Sequence, residues 1–179
     1  MNKVTFILVF GFSLIAGCDA EHNLKEKTSS LYDLNEDGID DITYESTIDG
    51  YYEFVDRNFD GKVDESHHYG NDDKIIKSKI DENFDGYLET EIFYEKGSPC
   101  FSSVDSNIDE LRDIFFLYRS GTLIKGSKYY IDSEGKQAIR TVEFKFGFPS
   151  KEPVVKTNLS RKQFDEKYLT SMPCKPLTQ

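Results

Sequence analysis

Apolar and polar residues alternate over short stretches along most of the chain. Larger apolar side chains take every second position in residues 42–48 and again in residues 88–94. The longest such stretch covers residues 138–148, with Ile139 and Arg140 out of phase at its start. A period of two places successive side chains on opposite faces of an extended strand. The pattern therefore predicts a series of short antiparallel strands.

Turn residues divide these stretches at regular intervals. One set of turns is marked by glycines that recur along the chain, at Gly50, Gly70, Gly97, Gly121 and Gly147. Acidic segments lie between them, so that each repeat has two turns and two strands. The sequence predicts a mainly β protein, an antiparallel β-meander of about five hairpin repeats. Alternation alone leaves a sandwich, a curved sheet and a partial barrel all open.

One short helix is predicted near the C-terminus, over residues 160–170. Ser160 and Gln163 have the spacing of a capping box, and Phe164 and Tyr168 are placed to pack inward. The chain has 14 Phe, 11 Tyr and no Trp, which favours an aromatic core.

Three of the acidic segments share one signature. They begin at Asp33, Asp56 and Asp81 and carry Asn at position 3, Asp at position 5, Gly at position 6 and an acid at position 9. Oxygen atoms at alternate positions, with a glycine at the sharp turn, suit a hard cation. Calcium is favoured over magnesium, which keeps its waters, and over zinc, for which the segments offer no nitrogen or sulfur.

Metal-free turns are the alternative, because Asn, Asp and Gly also favour turns on their own. A turn alone does not need several carboxylates at fixed alternate positions, and clustered like charges are unfavourable without a counter-ion. A fourth segment, 105–113, retains the oxygens but has Glu110 in place of the glycine, so it is not predicted to bind. A fifth echo, residues 132–135, retains only turn character.

The three segments differ from EF-hands in two respects. The twelfth position, where an EF-hand supplies a bidentate Glu, is Tyr44, His67 and Ile92, and strands follow each segment. They resemble instead the D-x-D-x-D-G calcium loops in β-propeller hairpins of the FG-GAP type. The resemblance implies side-chain ligands at positions 1, 3, 5 and 9 and a carbonyl ligand at position 7. The implied ligands are Asp33, Asn35, Asp37, Ile39 and Asp41; Asp56, Asn58, Asp60, Lys62 and Asp64; and Asp81, Asn83, Asp85, Tyr87 and Glu89.

The N-terminus has the pattern of a secretory signal. A short basic start precedes an apolar run over residues 4–16, and residues 15–18 read Ile-Ala-Gly-Cys, which resembles the lipobox of bacterial lipoproteins. The resemblance implies a signal peptide at 1–17, a lipidated Cys18 that carries palmitate-type acyl chains, and attachment to a membrane of the bacterial cell envelope, on the extracytoplasmic or periplasmic side. An ordinary signal peptide is the alternative. Residues 18–32 are predicted to be a polar tether and 33–179 a single domain.

Two further cysteines, Cys100 and Cys174, remain in a compartment that permits disulfides. One bridge between them is predicted; two free buried thiols are the alternative.

Charge divides the predicted domain. Residues 33–113 contain 24 acids and 7 bases, a net charge of −17, whereas residues 114–179 contain 6 acids and 12 bases, a net charge of +6. The acidic excess argues against nucleic acid as a partner. The basic stretch has three interpretations: a solvated sheet face, a contact with an acidic partner, or a contact with anionic headgroups.

No catalytic motif is found. His67 and His68 are neighbours on a predicted strand and point to opposite faces, so they cannot act as a pair. The sequence predicts that the chain is not an enzyme but a membrane-anchored, calcium-stabilised module that binds another protein. The alternatives are an inhibitor or immunity protein against a secreted toxin or cell-wall hydrolase, and a structural spacer in the envelope.

Overall fold

The computed structural model describes residues 31–169 and Cys174, and it contains twelve strands and one helix within them. The predicted signal peptide and Cys18 lie outside the described residues. The elements are β1 (Leu31–Tyr32), β2 (Ile42–Thr47), β3 (Gly50–Val55), β4 (Glu65–Gly70), β5 (Ile75–Ile80), β6 (Thr90–Glu95), β7 (Ser98–Val104), β8 (Ile114–Arg119), β9 (Thr122–Ile131), β10 (Gln137–Lys145), β11 (Phe148–Pro149), β12 (Val154–Thr157) and α1 (Arg161–Leu169).

The strands form one antiparallel sheet in which each strand from β1 to β11 pairs with its neighbour in the sequence. β12 pairs with β10 beside β11. Five tight hairpins result, from β2–β3 to β10–β11, and this confirms the predicted mainly β meander with one C-terminal helix. The sheet remains open, because its first and last strands do not pair.

Connections in a meander alternate between the two ends of the sheet. The acidic segments connect β1 to β2, β3 to β4, β5 to β6 and β7 to β8, so they share one end, which we call the loop end. The glycine-containing hairpin turns share the opposite end, the turn end. The repeat in the sequence therefore becomes two separate rows of connections, one acidic and one built from short turns.

A hydrophobic core forms where α1 packs on one face of β6–β10. Phe101, Phe115 and Ile139 meet Phe164 and Tyr168 of the helix, and all five are buried. The rings of Phe115 and Tyr168 stack with their centroids 5.3 Å apart. The core is therefore mainly aromatic, as the composition predicts.

The helix begins at the predicted capping box. The Ser160 backbone N–H donates to Gln163 Oε1 at 2.9 Å, and the Gln163 N–H donates to Ser160 Oγ at 3.3 Å. Two N–H groups at the start of the helix are thereby satisfied. α1 runs from Arg161 to Leu169, one residue inside the predicted range at each end.

A disulfide joins Cys100 of β7 to Cys174, which follows the helix, at a sequence separation of 74. Both cysteines are buried at the edge of the aromatic core. The predicted bridge is therefore present, and it fastens the chain after α1 to the middle of the sheet.

Among the described residues no helix lies over strands β2–β5, and the fully buried apolar side chains all lie from β6 onward. On the face opposite α1, which we call the open face, four tyrosine rings form a row. Successive ring centroids are 6.2, 6.1 and 4.9 Å apart along Tyr32, Tyr44, Tyr51 and Tyr69. The acidic half of the sheet is therefore a single layer, stabilised by contacts between neighbouring side chains.

Two boundaries differ from the sequence prediction. β1 occupies the last two residues of the predicted tether, where Leu31 and Tyr32 pair with Thr43 and Ile42. The apolar alternation over 138–148 is interrupted, because β10 ends at Lys145 and the chain reverses through residues 146–147. Alternation cannot distinguish a continuous strand from a two-residue hairpin that keeps the same phase.

Glu53 joins two of the open-face tyrosines. Its carboxylate accepts hydrogen bonds from Tyr44 Oη at 2.6 Å and Tyr69 Oη at 3.1 Å. The hydrogen bond to Glu53, with burial, raises the pKa of Tyr44 to about 12; burial, with the Glu53 charge, raises the pKa of Tyr69 to about 12. The neutral phenols are favoured because a phenolate would lie beside a carboxylate.

The substitution Glu53→Gln is expected to shift tyrosine titration to lower pH. The stabilisation that these bonds provide is complete below the unfolded tyrosine pKa of about 10 and is lost as the pH rises through the folded values. Removing the carboxylate charge should bring the pKa of Tyr44 down most, since Glu53 is its main cause. Ultraviolet titration of tyrosinate measures this. Glu91→Gln, on the other face beside Lys77, is the control. A Glu53→Gln titration curve identical to that of the unaltered chain would contradict the assignment of the raised tyrosine pKa values to Glu53.

Candidate cation loops

Four loops of the same shape lie in a row at the loop end: loop 1 (33–41), loop 2 (56–64), loop 3 (81–89) and loop 4 (105–113). In loop 2, Asp56 at position 1 accepts three backbone N–H groups, from Phe59 at 2.7 Å, Asp60 at 3.3 Å and Gly61 at 2.7 Å. Asp81 accepts the corresponding groups in loop 3 at the same three distances. The first carboxylate therefore folds the loop around itself.

Positions 3 and 5 add two smaller turns. In loop 2 the Asn58 side-chain oxygen accepts the Asp60 N–H at 3.0 Å, and Asp60 Oδ1 accepts the Lys62 N–H at 2.9 Å. Loops 1 and 3 repeat both bonds at 2.8 to 2.9 Å. Each of these oxygens has two lone pairs, so one N–H bond leaves room for a second partner.

The carboxylate at position 9 closes each loop and is buried. Asp41 Oδ2 accepts the Leu34 N–H at 2.6 Å, and Glu89 Oε1 accepts the Glu82 N–H at 2.9 Å. Asp41 is 2% exposed and Glu89 7% exposed. The second oxygens, Asp41 Oδ1 and Glu89 Oε2, are buried and have no hydrogen-bond partner among the described residues. A buried charged oxygen without a hydrogen-bond partner costs roughly 1–3 kcal/mol or more. A positively charged partner would offset this cost at both oxygens.

The loop backbone enters the left-handed region twice. Position 4 has positive φ in all four loops, with Phe59, Phe84 and Ile108 among its residues, and position 6 has positive φ at Gly38, Gly61 and Gly86. Loop 4 keeps the same conformation without glycine, since Glu110 has φ 66°. The departure from the sequence signature therefore changes the strain of loop 4 and not its shape.

Neighbouring loops are connected by backbone hydrogen bonds. The N–H of the first residue of each loop donates to the carbonyl at position 9 of the preceding loop: Asp56 to Asp41 at 2.8 Å, Asp81 to Asp64 at 2.8 Å, and Asp105 to Glu89 at 3.0 Å.

Side chains reinforce the row. Arg57 Nη2 donates to the Asp81 carbonyl at 2.6 Å, and Tyr87 Oη donates to Asp105 Oδ2 at 2.9 Å. Because both the backbone and the side chains cross from loop to loop, the four loops form one continuous structure.

Loop 4 differs from the others because Arg161 forms a salt bridge with its ninth-position carboxylate. Arg161, the first residue of α1, places Nη1 3.4 Å from Asp113 Oδ1 and donates through Nη2 to the Arg112 carbonyl. Burial raises the pKa of Asp105, but hydrogen bonds from Tyr87 and from backbone N–H groups outweigh it, and the net pKa is lowered. Sequence reasoning missed the role of Arg161, which lies 48 residues from Asp113 and gives no local signal.

The predicted ligands of loops 1, 2 and 3 each fall within one loop, but they do not converge. Among the described residues, no three Asp, Glu, His or Cys side chains form a group that could hold a metal ion. The carboxylates turn onto backbone N–H groups instead, so a bound cation would have to draw positions 1, 5 and 9 together. The orphaned oxygens of Asp41 and Glu89 fit such a cation, because they are charged, buried and unpaired.

The residues at position 12 lie in strands β2, β4 and β6, and no helix follows any of the loops. His67 bonds to Ser78 and Glu65, both at 2.8 Å, whereas His68 stacks on Tyr52 on the other face at 4.5 Å. The two histidines therefore point to opposite faces, as predicted.

Comparison of the chain with protein-family models and with curated protein sequences finds no match. Within residues 31–169, α1 falls well short of the length and apolar character that a membrane-spanning helix needs.

Two substitutions at position 6 should change stability in opposite directions. Glu110→Gly is expected to raise the free energy of unfolding by about 1 kcal/mol, because it relieves left-handed backbone strain. Gly38→Ala should lower it by about 1 kcal/mol for the converse reason; a methyl group there meets no atom within 4 Å, so the change is purely conformational. Urea unfolding of both variants measures the difference. Equal effects of the same sign would contradict the conformational account.

Proposed function

We propose that the chain is a lipid-anchored extracytoplasmic lipoprotein whose loops 1, 2 and 3 bind calcium and hold together a sheet that binds another protein. The observation that supports calcium most directly is the pair of orphaned, buried oxygens, Asp41 Oδ1 and Glu89 Oε2. Calcium takes six to eight oxygen ligands in flexible geometry. Each loop offers four side chains and the carbonyl at position 7, and water or a partner would complete the shell.

Charge gives the same indication. Residues 33–113 have a net charge of −17. Three of the loop carboxylates are almost fully buried: Asp41 and Asp64 at position 9, and Asp81 at position 1. Divalent cations would offset part of this repulsion. Loop 4 is not included, because Arg161 and Tyr87 already supply its carboxylates with partners.

A structural role for calcium follows from the position of the loops. The described strands β2–β5 contribute no apolar side chain to the buried core, and their loop ends are joined by the backbone hydrogen bonds between loops. A cation in each loop would fix the spacing of two strands and, through those bonds, of the next pair. We therefore assign the calcium to fastening the acidic half of the sheet.

The open face of β2–β5 is the proposed protein-binding surface. Its tyrosine row is only half buried, and tyrosine is enriched in protein interfaces because it combines apolar area with a hydrogen-bonding group. Glu53 holds Tyr44 and Tyr69 in place, so little side-chain freedom remains to be lost on binding.

Calcium should stabilise the protein against heat, and a chelator should reverse this. Asp41→Asn and Glu89→Gln each remove the charge of an orphaned carboxylate. Each is expected to weaken calcium binding and, in a chelator, to raise the melting temperature above that of the unaltered chain. Asp132→Asn is the matched control, since Asp132 shapes the turn after β9 through the same kind of N–H bonds. Calorimetric titration without calcium heat, together with an unchanged melting temperature, would overturn the calcium proposal.

The paired substitution Tyr51→Ser and Tyr69→Ser should abolish capture of an envelope protein by the chain in the native cell envelope. Tyr118→Ser is the control, because Tyr118 bonds to Ser102 at 3.2 Å outside the tyrosine row. Cross-linking in the native cell envelope, followed by identification of the captured protein, makes the measurement. A captured hydrolase that loses activity would identify the chain as an inhibitor. Capture that is indifferent to both tyrosines would contradict the proposed surface.

A further inference from the structure

The hairpin β10–β11 exposes two phenylalanines at the turn end. Phe146 and Gly147 form a two-residue turn, and Lys145 pairs with Phe148 across it. The Phe146 side chain is 82% exposed and Phe148 75% exposed. Two large aromatic side chains this exposed, two residues apart on one hairpin, form an apolar tip that the described residues leave uncovered.

The backbone of this turn also disfavours phenylalanine. Phe146 has φ 55° and Gly147 has φ 82°, and in such turns the first position favours Asn, Asp or Gly. Two other turns at the same end have the same conformation with a polar first residue, Lys96-Gly97 and Ser120-Gly121. Neither the backbone conformation nor exposure to water therefore explains a phenylalanine at position 146. A side chain that strains the backbone in this way is retained where a contact requires it.

Three lysines lie on or beside this hairpin. Lys145 holds its Nζ 5.6 Å from the Phe146 ring centroid, and Lys151 pairs with Glu143 at 2.7 Å. Lys125 lies opposite Glu143 in the sheet, so three bases face one acid. This basic group belongs to the half of the chain with a net charge of +6, in a protein whose total is −11.

We propose that this hairpin docks on an anionic phospholipid bilayer, with Phe146 and Phe148 in the interfacial layer and the lysines at the headgroups. Exposed aromatic side chains enter the interface, and neighbouring lysines attract anionic lipid while their methylene stems lie along apolar surface. The apolar tip and the lysines beside it occur together on one projecting turn. This arrangement matches the acyl and headgroup layers of an anionic bilayer, and for this reason we favour a membrane over an acidic protein pocket.

The opposite end of the sheet cannot serve the same purpose. The four loops carry sixteen acids and three bases, a net charge of −13, which an anionic surface repels. Docking through the hairpin would therefore direct the loops away from the bilayer. This contact rests on neither the lipid at Cys18 nor the calcium, so it can be tested without them.

The absence of tryptophan from the sequence makes a direct test available. In the full chain carrying Cys18→Ser, Phe148→Trp places a single tryptophan at the tip. On addition of phosphatidylglycerol vesicles its emission should shift to shorter wavelength and be quenched by brominated lipid. Phosphatidylcholine vesicles should leave it unchanged. The shift should persist in a chelator, because the hairpin lies at the opposite end from the loops.

Ile48→Trp is the matched control, since Ile48 is 91% exposed in another hairpin turn at the same end. Its emission should not respond to vesicles. Lys145→Gln combined with Phe148→Trp should weaken partition about fivefold, the loss expected for one lysine near an anionic surface. An unchanged emission of Phe148→Trp, or an equal response from Ile48→Trp, would overturn the proposal. A protein captured through Phe146 without any response to vesicles would replace the bilayer with a protein partner.

Discussion

Burial of carboxylates at one end of the sheet is the constraint on which the acidic half of the molecule depends. Asp41, Asp64, Asp81 and Glu89 are nearly inaccessible, yet each closes or nucleates a loop that connects two strands. Backbone N–H groups satisfy most of their oxygens, but not Asp41 Oδ1 or Glu89 Oε2 within the described chain. Most of the strands that these loops join, β2–β5, have no described helix over them, so in this half the stability of the sheet depends on that of the loops.

The basic half of the chain is stabilised instead by a packed hydrophobic core. There α1 covers β6–β10 with Phe164 and Tyr168, and the Cys100–Cys174 bridge fastens the chain beyond it. Arg161 at the start of the helix reaches Asp113 and supplies a fixed positive charge to loop 4. Where the core begins, the meander therefore changes from loops whose ninth-position carboxylates have no salt bridge among the described residues to a loop whose ninth-position carboxylate is paired with Arg161.

Local patterns predicted local structure well. The turn glycines, the glycine at position 6 of loops 1 to 3 and the Ser160–Gln163 box each involve residues a few positions apart, and all three occur at a turn or helix start as predicted. The open edge of the sheet and the pairing of Arg161 with Asp113 depend on residues far apart in the chain, where alternation contains no information. Loop 4 illustrates the limit: its missing glycine predicted only that it does not bind a cation, whereas the structure shows that Glu110 adopts the left-handed conformation and that the loop keeps the shape of the others.

The two rows of connections give the sheet a direction. Strand direction alternates in a meander, so a repeat that carries a long acidic loop in one kind of connection and a short turn in the other must place all the acidic loops at one end. The basic hairpin β10–β11 then lies at the other end by topology, whatever its own sequence. A molecule divided in this way can present its two ends to different surroundings, with cations at the loops and an anionic surface at the turns. The open face between the two ends would then remain accessible to a protein partner.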